Sequence, residues 1–173
     1  HTSYVTSKML KHTRCKYVIL VHSERRQYHY EDDDLISLKA DKAHQARLTT
    51  IICVGETAEQ REAAIHEGVV ATQLAQSLPL SANAKNTVIA YEPVWAIGTG
   101  DTATTTDIEK MHGFIRRQLQ EKLADGDNIR ILYGGSVKPD NAREILHIDN
   151  VDGALIGGAS LKAEDFMGIA QAV

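Results

Sequence analysis

The sequence predicts an α/β fold, a parallel (β/α) barrel built from repeated βα units. Two observations lead to this prediction: five short apolar runs alternate with helical patterns along the 173 residues, and each run is followed by glycine-rich or reactive residues. Strands that are apolar throughout, rather than alternating, are typical of parallel sheets covered by helices on both faces. An open doubly wound sheet is the alternative, and the position of the chemistry after every strand favours the barrel.

The five strand-like runs are spread over the whole chain. They are KYVIL (16–20), TIICVG (50–55), TVIAYE (87–92), RILYGG (130–135) and GALIGG (153–158). The segments that follow them contain, in the same order, VHSER, GET, EPVWAIGTG, GGS and GGAS. Because the carboxyl ends of barrel strands meet on one rim, we expect these five segments to share that rim.

Helical patterns are found between the strands. One apolar stripe comprises Val70, Leu74 and Leu78, and a longer one comprises Ile108, Met111, Ile115, Leu119 and Leu123. Capping-box patterns predict helix starts at Thr57 and Thr106, and Pro139 suits a first helical turn. Residues 163–173 predict a C-terminal helix. No linker or low-complexity segment divides the chain, so we interpret residues 1–173 as one domain.

Composition and motifs argue against several classes of function. With 43% hydrophobic residues, 24% charged residues and a net charge of -4, the chain has no general attraction to nucleic acid or to anionic membranes. Cys15 and Cys53 form no CxxC pair, and no apolar run is long enough to span a bilayer, so we expect a cytoplasmic location. The absence of GxxxxGK[ST] and GxGxxG argues against a nucleotide.

Two glycine pairs suggest phosphate binding. Gly134-Gly135-Ser136 and Gly157-Gly158 each follow a strand, where a backbone without Cβ can bring its N–H groups close to a ligand oxygen. The competing interpretation is that these glycines only permit tight turns. Because two pairs follow the last two strands, where barrels often bind phosphate, we favour the binding interpretation.

His22 and Glu92 are the candidate catalytic side chains. Each follows a strand on the predicted rim, although either could be structural: a histidine is commonly so, and an acid can cap a helix or pair with an arginine. No HxH, HxxxH or HExxH pattern surrounds His22, so no metal site is expected. Residues 93–100 after Glu92 combine a stiff start with a glycine-rich tip, typical of a lid that excludes water. Together, the acid, the imidazole, the lid and the two glycine pairs predict proton abstraction beside the carbonyl of a small phosphorylated substrate.

The longer motifs resemble the triosephosphate isomerase family. These are VHSERR, CVGET, AYEPVWAIGTG, ILYGGSVKPDNA and GALIGGASLKAEDF, in the family's order and spacing from about Ser7 onward. The resemblance implies a barrel of the TIM type and interconversion of dihydroxyacetone phosphate and glyceraldehyde 3-phosphate, a step of glycolysis and gluconeogenesis. It implies no cofactor and no metal.

The same resemblance assigns roles to individual residues. Glu92 is the expected base, and His22 is the expected electrophile that donates a hydrogen bond to an enediolate oxygen. Glu24 is expected to lie near His22 without touching the substrate. The expected phosphate ligands are backbone N–H groups of Gly98, Ser136, Gly157 and Gly158. Ile97 and Leu155 are expected to form an apolar cover over Glu92.

The chain also departs from the family pattern. It matches about five of the eight βα units, the last five, so the barrel is expected to be incomplete, with open sheet edges at KYVIL and GALIGG. The family's active-site lysine belongs to the first unit, and losing such a charge costs on the order of 10²–10³ in rate, so we expect impaired activity. The family forms homodimers, but only residues 1–4 match the end of its interface loop, which argues against a normal dimer.

Three substitutions of family glycines stand out near the N-terminus. Arg14 and Arg47 lie where the family usually ends a helix with glycine, and Val21 replaces a glycine beside His22, where it could displace the imidazole. Two other hypotheses therefore stay open. One is a non-catalytic remnant that binds phosphate or a partner. The other is a different phosphosugar enzyme on the same kind of barrel, which would not need the whole EPVWAIGTG segment.

Overall fold

The computed structural model describes residues 4–97 and 102–173. Its centre is one five-stranded sheet in the order β1-β2-β3-β4-β5, and every neighbouring pair is parallel. The strands are β1 (Tyr17–Leu20), β2 (Thr49–Val54), β3 (Thr87–Tyr91), β4 (Arg130–Tyr133) and β5 (Gly153–Ala154). Because every pair is parallel, all five carboxyl ends lie along one edge, and the sequential strand order is that of a barrel rather than of a doubly wound sheet.

Eight α-helices are present in the described part of the chain. They are α1 (Ser7–His12), α2 (Ser23–His29), α3 (Asp33–Gln45), α4 (Ala58–Glu62), α5 (His66–Ser77), α6 (Thr105–Lys122), α7 (Ala142–Leu146) and α8 (Ala163–Ala170). Short 3-10 turns occupy Val94–Ala96, Gly126–Asn128 and Gly158–Leu161. None of the described helices combines the length and the apolar character needed to cross a membrane.

Burial differs between the central and the edge strands. All five residues of β3 are buried, as predicted for a strand covered on both faces. In β1 the pattern alternates, and Tyr17 and Ile19 are about half exposed. The prediction of burial on both faces is therefore wrong for β1, because β1 is an edge strand. A groove of about 670 Å³, lined by apolar residues such as Val18, Leu20 and Leu38, lies beside it.

Three element boundaries differ from the sequence prediction. Helix α6 begins two residues early, because the capping box is formed by Thr104 and Asp107 rather than by Thr106. Pro139 lies in a turn before α7, which begins at Ala142, and the backbone N–H of Lys138 is held by the Asn141 side chain. The last strand spans only Gly153–Ala154 of the predicted residues 153–158, and a 3-10 turn follows it at Gly158–Leu161.

Other local predictions are confirmed. Thr57 and Gln60 form the predicted capping box at the start of α4. The stripe of α6 lies in the core, with Ile108, Ile115 and Leu119 fully buried. The stripe of α5 is buried through Val70 and Leu74. The sequence patterns thus identified the buried faces better than they identified the ends of the elements.

Arg14 and Arg47 end two helices in the left-handed conformation, with φ of 66° and 60°. After α3, the Arg47 N–H donates to His44 O at 2.8 Å and the Leu48 N–H donates to Ala43 O at 3.0 Å. This pair of bonds is a Schellman motif, whose left-handed residue is usually glycine because a Cβ is unfavourable there. The Arg47 side chain is exposed, so replacing it changes the backbone strain at this position without changing the packing of the core.

We therefore expect Arg47→Gly to raise the free energy of unfolding by about 1 kcal/mol, since glycine adopts positive φ without the Cβ penalty. Urea unfolding measures the change. The matched control is Lys110→Gly, an exposed position inside α6, where glycine should lower the free energy of unfolding by about 1 kcal/mol. A loss of stability in Arg47→Gly equal to that of the control would contradict the strain argument.

Candidate active site

His22 and Glu92 meet at the carboxyl ends of β1 and β3, the strands on either side of β2. His22 is the second residue after β1 and the N-cap of α2, and Glu92 is the first residue after β3. The imidazole Nε2 lies 3.0 Å from Glu92 Oε1. Two side chains that are 70 positions apart in sequence are thus in direct contact on the predicted rim.

Burial dominates the environment of the Glu92 carboxyl group. Its side chain is 2% exposed, and this desolvation raises the pKa of Glu92 above its ordinary value. His22, the backbone N–H of Ser23 and the Cys53 side chain act in the opposite direction, because each favours the charged form. The Ser23 N–H donates to Oε2 at 2.9 Å. Glu92 is therefore held in a defined orientation by α2 and remains a stronger base than an exposed glutamate.

The local structure around His22 selects one form of the imidazole. The Glu24 backbone N–H donates to His22 Nδ1 at 3.4 Å, so this nitrogen acts as an acceptor and the ring proton of the neutral form belongs on Nε2. Nε2 is the atom that points at Glu92. Glu24 contacts His22 through its main chain, and its predicted role near His22 stays a prediction. Val21 is left-handed with φ 62° and is buried, yet His22 still reaches Glu92.

A cavity of about 1000 Å³ opens in front of these two side chains. Its lining includes five of the six other described residues to which the family resemblance assigns a role, namely Ile97, Ser136, Leu155, Gly157 and Gly158, but not Glu24. Gly98 lies outside the described residues. Ser136 Oγ also donates to Ala96 O at 3.3 Å, which joins the loop after β4 to the loop after β3. Candidate site residues that follow β1, β3, β4 and β5 therefore line one cavity.

The glycines of the rim have two different reasons to lack a side chain. A Cβ on Gly134 would lie 2.8 Å from Glu92 Cγ, and one on Gly135 would lie 2.1 Å from the Tyr133 hydroxyl. By contrast, Cβ atoms on Gly157 and Gly158 would meet nothing within 4 Å. The first pair is thus explained by packing around the site, whereas the second pair exposes its backbone to open space beside the cavity.

Comparison with known proteins agrees with this arrangement. The family model for triosephosphate isomerase matches residues 1–173. The chain belongs to the triosephosphate isomerase family. Triosephosphate isomerases of Rhizobium meliloti (strain 1021) and Chelativorans sp. (strain BNC1) are 54% and 55% identical to it, and each alignment covers at least 99% of this chain and 68% of the relative.

The fold is that of the same family. A crystal structure of triosephosphate isomerase from Bartonella henselae at 1.6 Å resolution matches with a TM-score of 0.94 and 44% sequence identity. The match covers 99% of this chain and 70% of that structure. The chain is therefore a member of an isomerase family and has an incomplete TIM-type barrel, as the sequence motifs predicted.

Sequence reasoning missed several residues of this rim. Glu56 in the GET segment is fully buried and accepts hydrogen bonds from the Tyr91 hydroxyl, Trp95 Nε1 and Arg61. The available signal was the same as for Glu92, namely an acid directly after an apolar strand. Lys138 and Lys162 also line the cavity. Within residues 4–97 and 102–173, no group of three or more acidic, His or Cys side chains has the geometry of a metal site.

Proposed function

We propose that this chain interconverts dihydroxyacetone phosphate and glyceraldehyde 3-phosphate, a step of glycolysis and gluconeogenesis. The observation that carries the proposal is the buried Glu92 carboxyl group 3.0 Å from His22 Nε2, at the wall of a cavity lined by backbone from two glycine-containing loops. Family membership supports the reaction class, and the geometry supports the assignment of residues.

Glu92 is the proposed base. It removes a proton from the hydroxyl-bearing carbon beside the substrate carbonyl, becomes a neutral carboxylic acid, and returns the proton to the former carbonyl carbon. The hydroxyl proton passes to the former carbonyl oxygen by way of His22 Nε2, so the carbonyl and hydroxyl groups exchange places. Desolvation makes this exchange easier, because it raises the pKa of Glu92 and so reduces the cost of carrying the proton. The Ser23 N–H keeps the second carboxyl oxygen fixed, so one oxygen faces the reacting carbon throughout.

His22 is the proposed electrophile. When substrate separates the two side chains, the Nε2–H that now points at Glu92 donates instead to the carbonyl oxygen, which becomes the enediolate oxygen. The Glu24 N–H at Nδ1 favours this tautomer. A donor already in position lowers the barrier, because it stabilises the charge that develops on that oxygen.

The phosphate is proposed to bind at the backbone of Ser136, Gly157 and Gly158, with Gly98 as a further predicted ligand. Support comes from the open space at both Gly157 and Gly158 and from their position on the cavity wall. Ile97 and Leu155 line the same cavity and are proposed as the apolar cover of Glu92. The chemistry needs no cofactor and no metal. The unpaired Cys15 and Cys53 support a cytoplasmic location.

A second candidate is a protein that binds phosphate or a partner without turnover. The apolar groove beside β1 and the exposed Tyr17 and Ile19 of that strand favour it. The prediction of impaired activity points in the same direction, since the matched units omit the family's lysine. Binding with no detectable proton exchange separates this candidate from the isomerase.

The test is isomerisation of glyceraldehyde 3-phosphate in D₂O, followed by NMR, with Glu92→Gln purified identically as the control for contaminating host enzyme. The isomerase proposal predicts product that carries deuterium on carbon, because the abstracted proton exchanges with solvent while it resides on Glu92. The same conversion in the control would contradict it. Calorimetric binding of phosphosugar without conversion would support the second candidate.

A further inference from the structure

We propose that Arg61 is a positioning residue that connects the two chain segments on either side of residues 98–101 and thereby orients the backbone that carries Glu92. This inference rests on the proposed function, because it assigns Arg61 a part in the same reaction. Arg61 lies in α4, outside the cavity, and no feature of the sequence singled it out.

The Arg61 guanidinium group makes three different contacts. Nη1 donates to Glu56 Oε1 at 3.0 Å, and Nη2 donates to Asp107 Oδ1 at 2.5 Å. The guanidinium carbon also lies 4.6 Å from the centroid of the Trp95 ring, within cation–π range. Only the planar fork of arginine can make two such bonds and stack on an aromatic ring at once, so lysine cannot replace it.

Glu56 transmits the position of Arg61 to the residues that flank Glu92. Its Oε1 accepts from the Tyr91 hydroxyl at 3.1 Å and from Trp95 Nε1 at 2.8 Å. Its carbonyl oxygen accepts from the Val94 N–H at 3.1 Å. The chain is therefore held to Glu56 on both sides of Glu92. Within the described part of the chain, the cation that pairs with the fully buried Glu56 carboxylate is Arg61.

Asp107 transmits the same contact to the segment after residue 101. Its Oδ2 accepts from both the backbone N–H and the hydroxyl of Thr104, which fixes the start of α6. Its other oxygen accepts from Arg61. Trp95 lies three positions before residue 98 and Thr104 three positions after residue 101, so one guanidinium group contacts the Trp95 ring on one side and the Asp107 carboxylate that fixes Thr104 on the other.

The ion pair should matter more for rate than for binding. A displacement of about 1 Å at a catalytic group can cost on the order of 10² in rate, whereas substrate affinity depends mainly on groups across the cavity. We therefore expect Arg61→Lys to lower kcat about tenfold and to change KM less than threefold. Asp107→Asn should also lower kcat. The double variant should be no slower than the slower single variant, because each substitution breaks the same ion pair between Arg61 and Asp107.

The control is Arg116→Lys, which alters a similar Arg–Asp pair at a distance from Glu56 and Trp95. Arg116 Nη2 lies 3.0 Å from Asp152 Oδ2 and binds the carbonyl oxygens of Gly126 and Ile129. This variant should lose stability yet keep kcat within about twofold of the parent. A purely structural role for Arg61 predicts instead that both arginine variants behave alike.

Fluorescence gives a second measurement, because Trp95 is the sole tryptophan of the chain. Arg61→Lys and Asp107→Asn should each increase quenching of Trp95 by acrylamide, and Arg116→Lys should not. Parent-like kcat in Arg61→Lys, or unchanged quenching, would overturn the inference while the isomerase proposal stands. A parent chain without turnover would overturn the isomerase proposal and with it the role of Arg61 in the reaction.

Discussion

Replacing Glu92 by glutamine is expected to lower kcat/KM for isomerisation by a factor of about 10²–10⁴, the usual contribution of a general base. Glutamine has nearly the shape of glutamate and can still accept the hydrogen bond from the Ser23 N–H, but it cannot take a proton from carbon. The change therefore removes the chemistry and leaves the packing. Steady-state assays in both directions measure it, with the exposed Glu121→Gln as the control that keeps activity.

The pH dependence of stability shows whether the loss of activity in Glu92→Gln comes from the missing carboxylate or from unfolding of the variant. Burial raises the folded-state pKa of Glu92 above the unfolded value of about 4.3, so ionisation is less favourable in the folded chain. The parent should therefore lose stability relative to Glu92→Gln as the pH rises above about 4.3 and through the raised pKa. Parent kcat/KM should fall on the acid side below that same raised pKa. An active or markedly less stable Glu92→Gln would contradict the assignment.

Gly55→Ala should have the largest effect on the fold. A Cβ at Gly55 would lie 1.7 Å from the Glu92 carbonyl oxygen and 2.6 Å from its carbonyl carbon, so the backbone that carries the base must move. Both main-chain polar groups of Gly55 are also bonded to the Gln73 side chain, at 2.8 and 3.0 Å, which limits the possible shifts. We expect a loss of about 3 kcal/mol in the free energy of unfolding, together with a large loss of kcat.

The matched control for this substitution is Gly68→Ala. Gly68 lies in the first turn of α5, and a Cβ there would meet nothing within 4 Å. Alanine should raise the free energy of unfolding by up to about 1 kcal/mol, because it is the better helix former. Chemical denaturation of both variants, with activity measured in parallel, is the experiment. Equal stability of the two alanine variants would mean that the contact between Gly55 and Glu92 does not constrain the rim.

Most of the fold class could be predicted, because its signals are local. Apolar runs without alternation indicated buried parallel strands, and β3 is buried at every residue. The ends of elements were less predictable. Whether Thr104 or Thr106 caps α6 depends on which of them reaches an acid three residues later and on the contact of Asp107 with Arg61, which comes from a distant helix. Edge exposure of β1 likewise depends on its neighbours in the sheet.

Some residues of the candidate site could likewise be predicted from the sequence, and others could not. His22 and Glu92 could be proposed from their positions after strands, and the family resemblance followed from long contiguous motifs. The roles of Glu56 and Arg61 could not, because an acid in a GET segment and an arginine in a short helix have no distinctive spacing. Their significance comes from the Tyr91, Trp95 and Asp107 side chains that surround them.

The sequence by itself therefore determined the βα repeat, the rim on which the candidate site lies, and the residue types proposed for proton transfer and phosphate binding. Only the tertiary structure decided that Glu92 is desolvated and in contact with His22, that His22 presents Nε2, and that Gly134 is required by packing whereas Gly157 faces open space. The physical reason is that strand and helix patterns act over a few residues. Burial, pKa and contact geometry depend on atoms brought together from strands many positions apart.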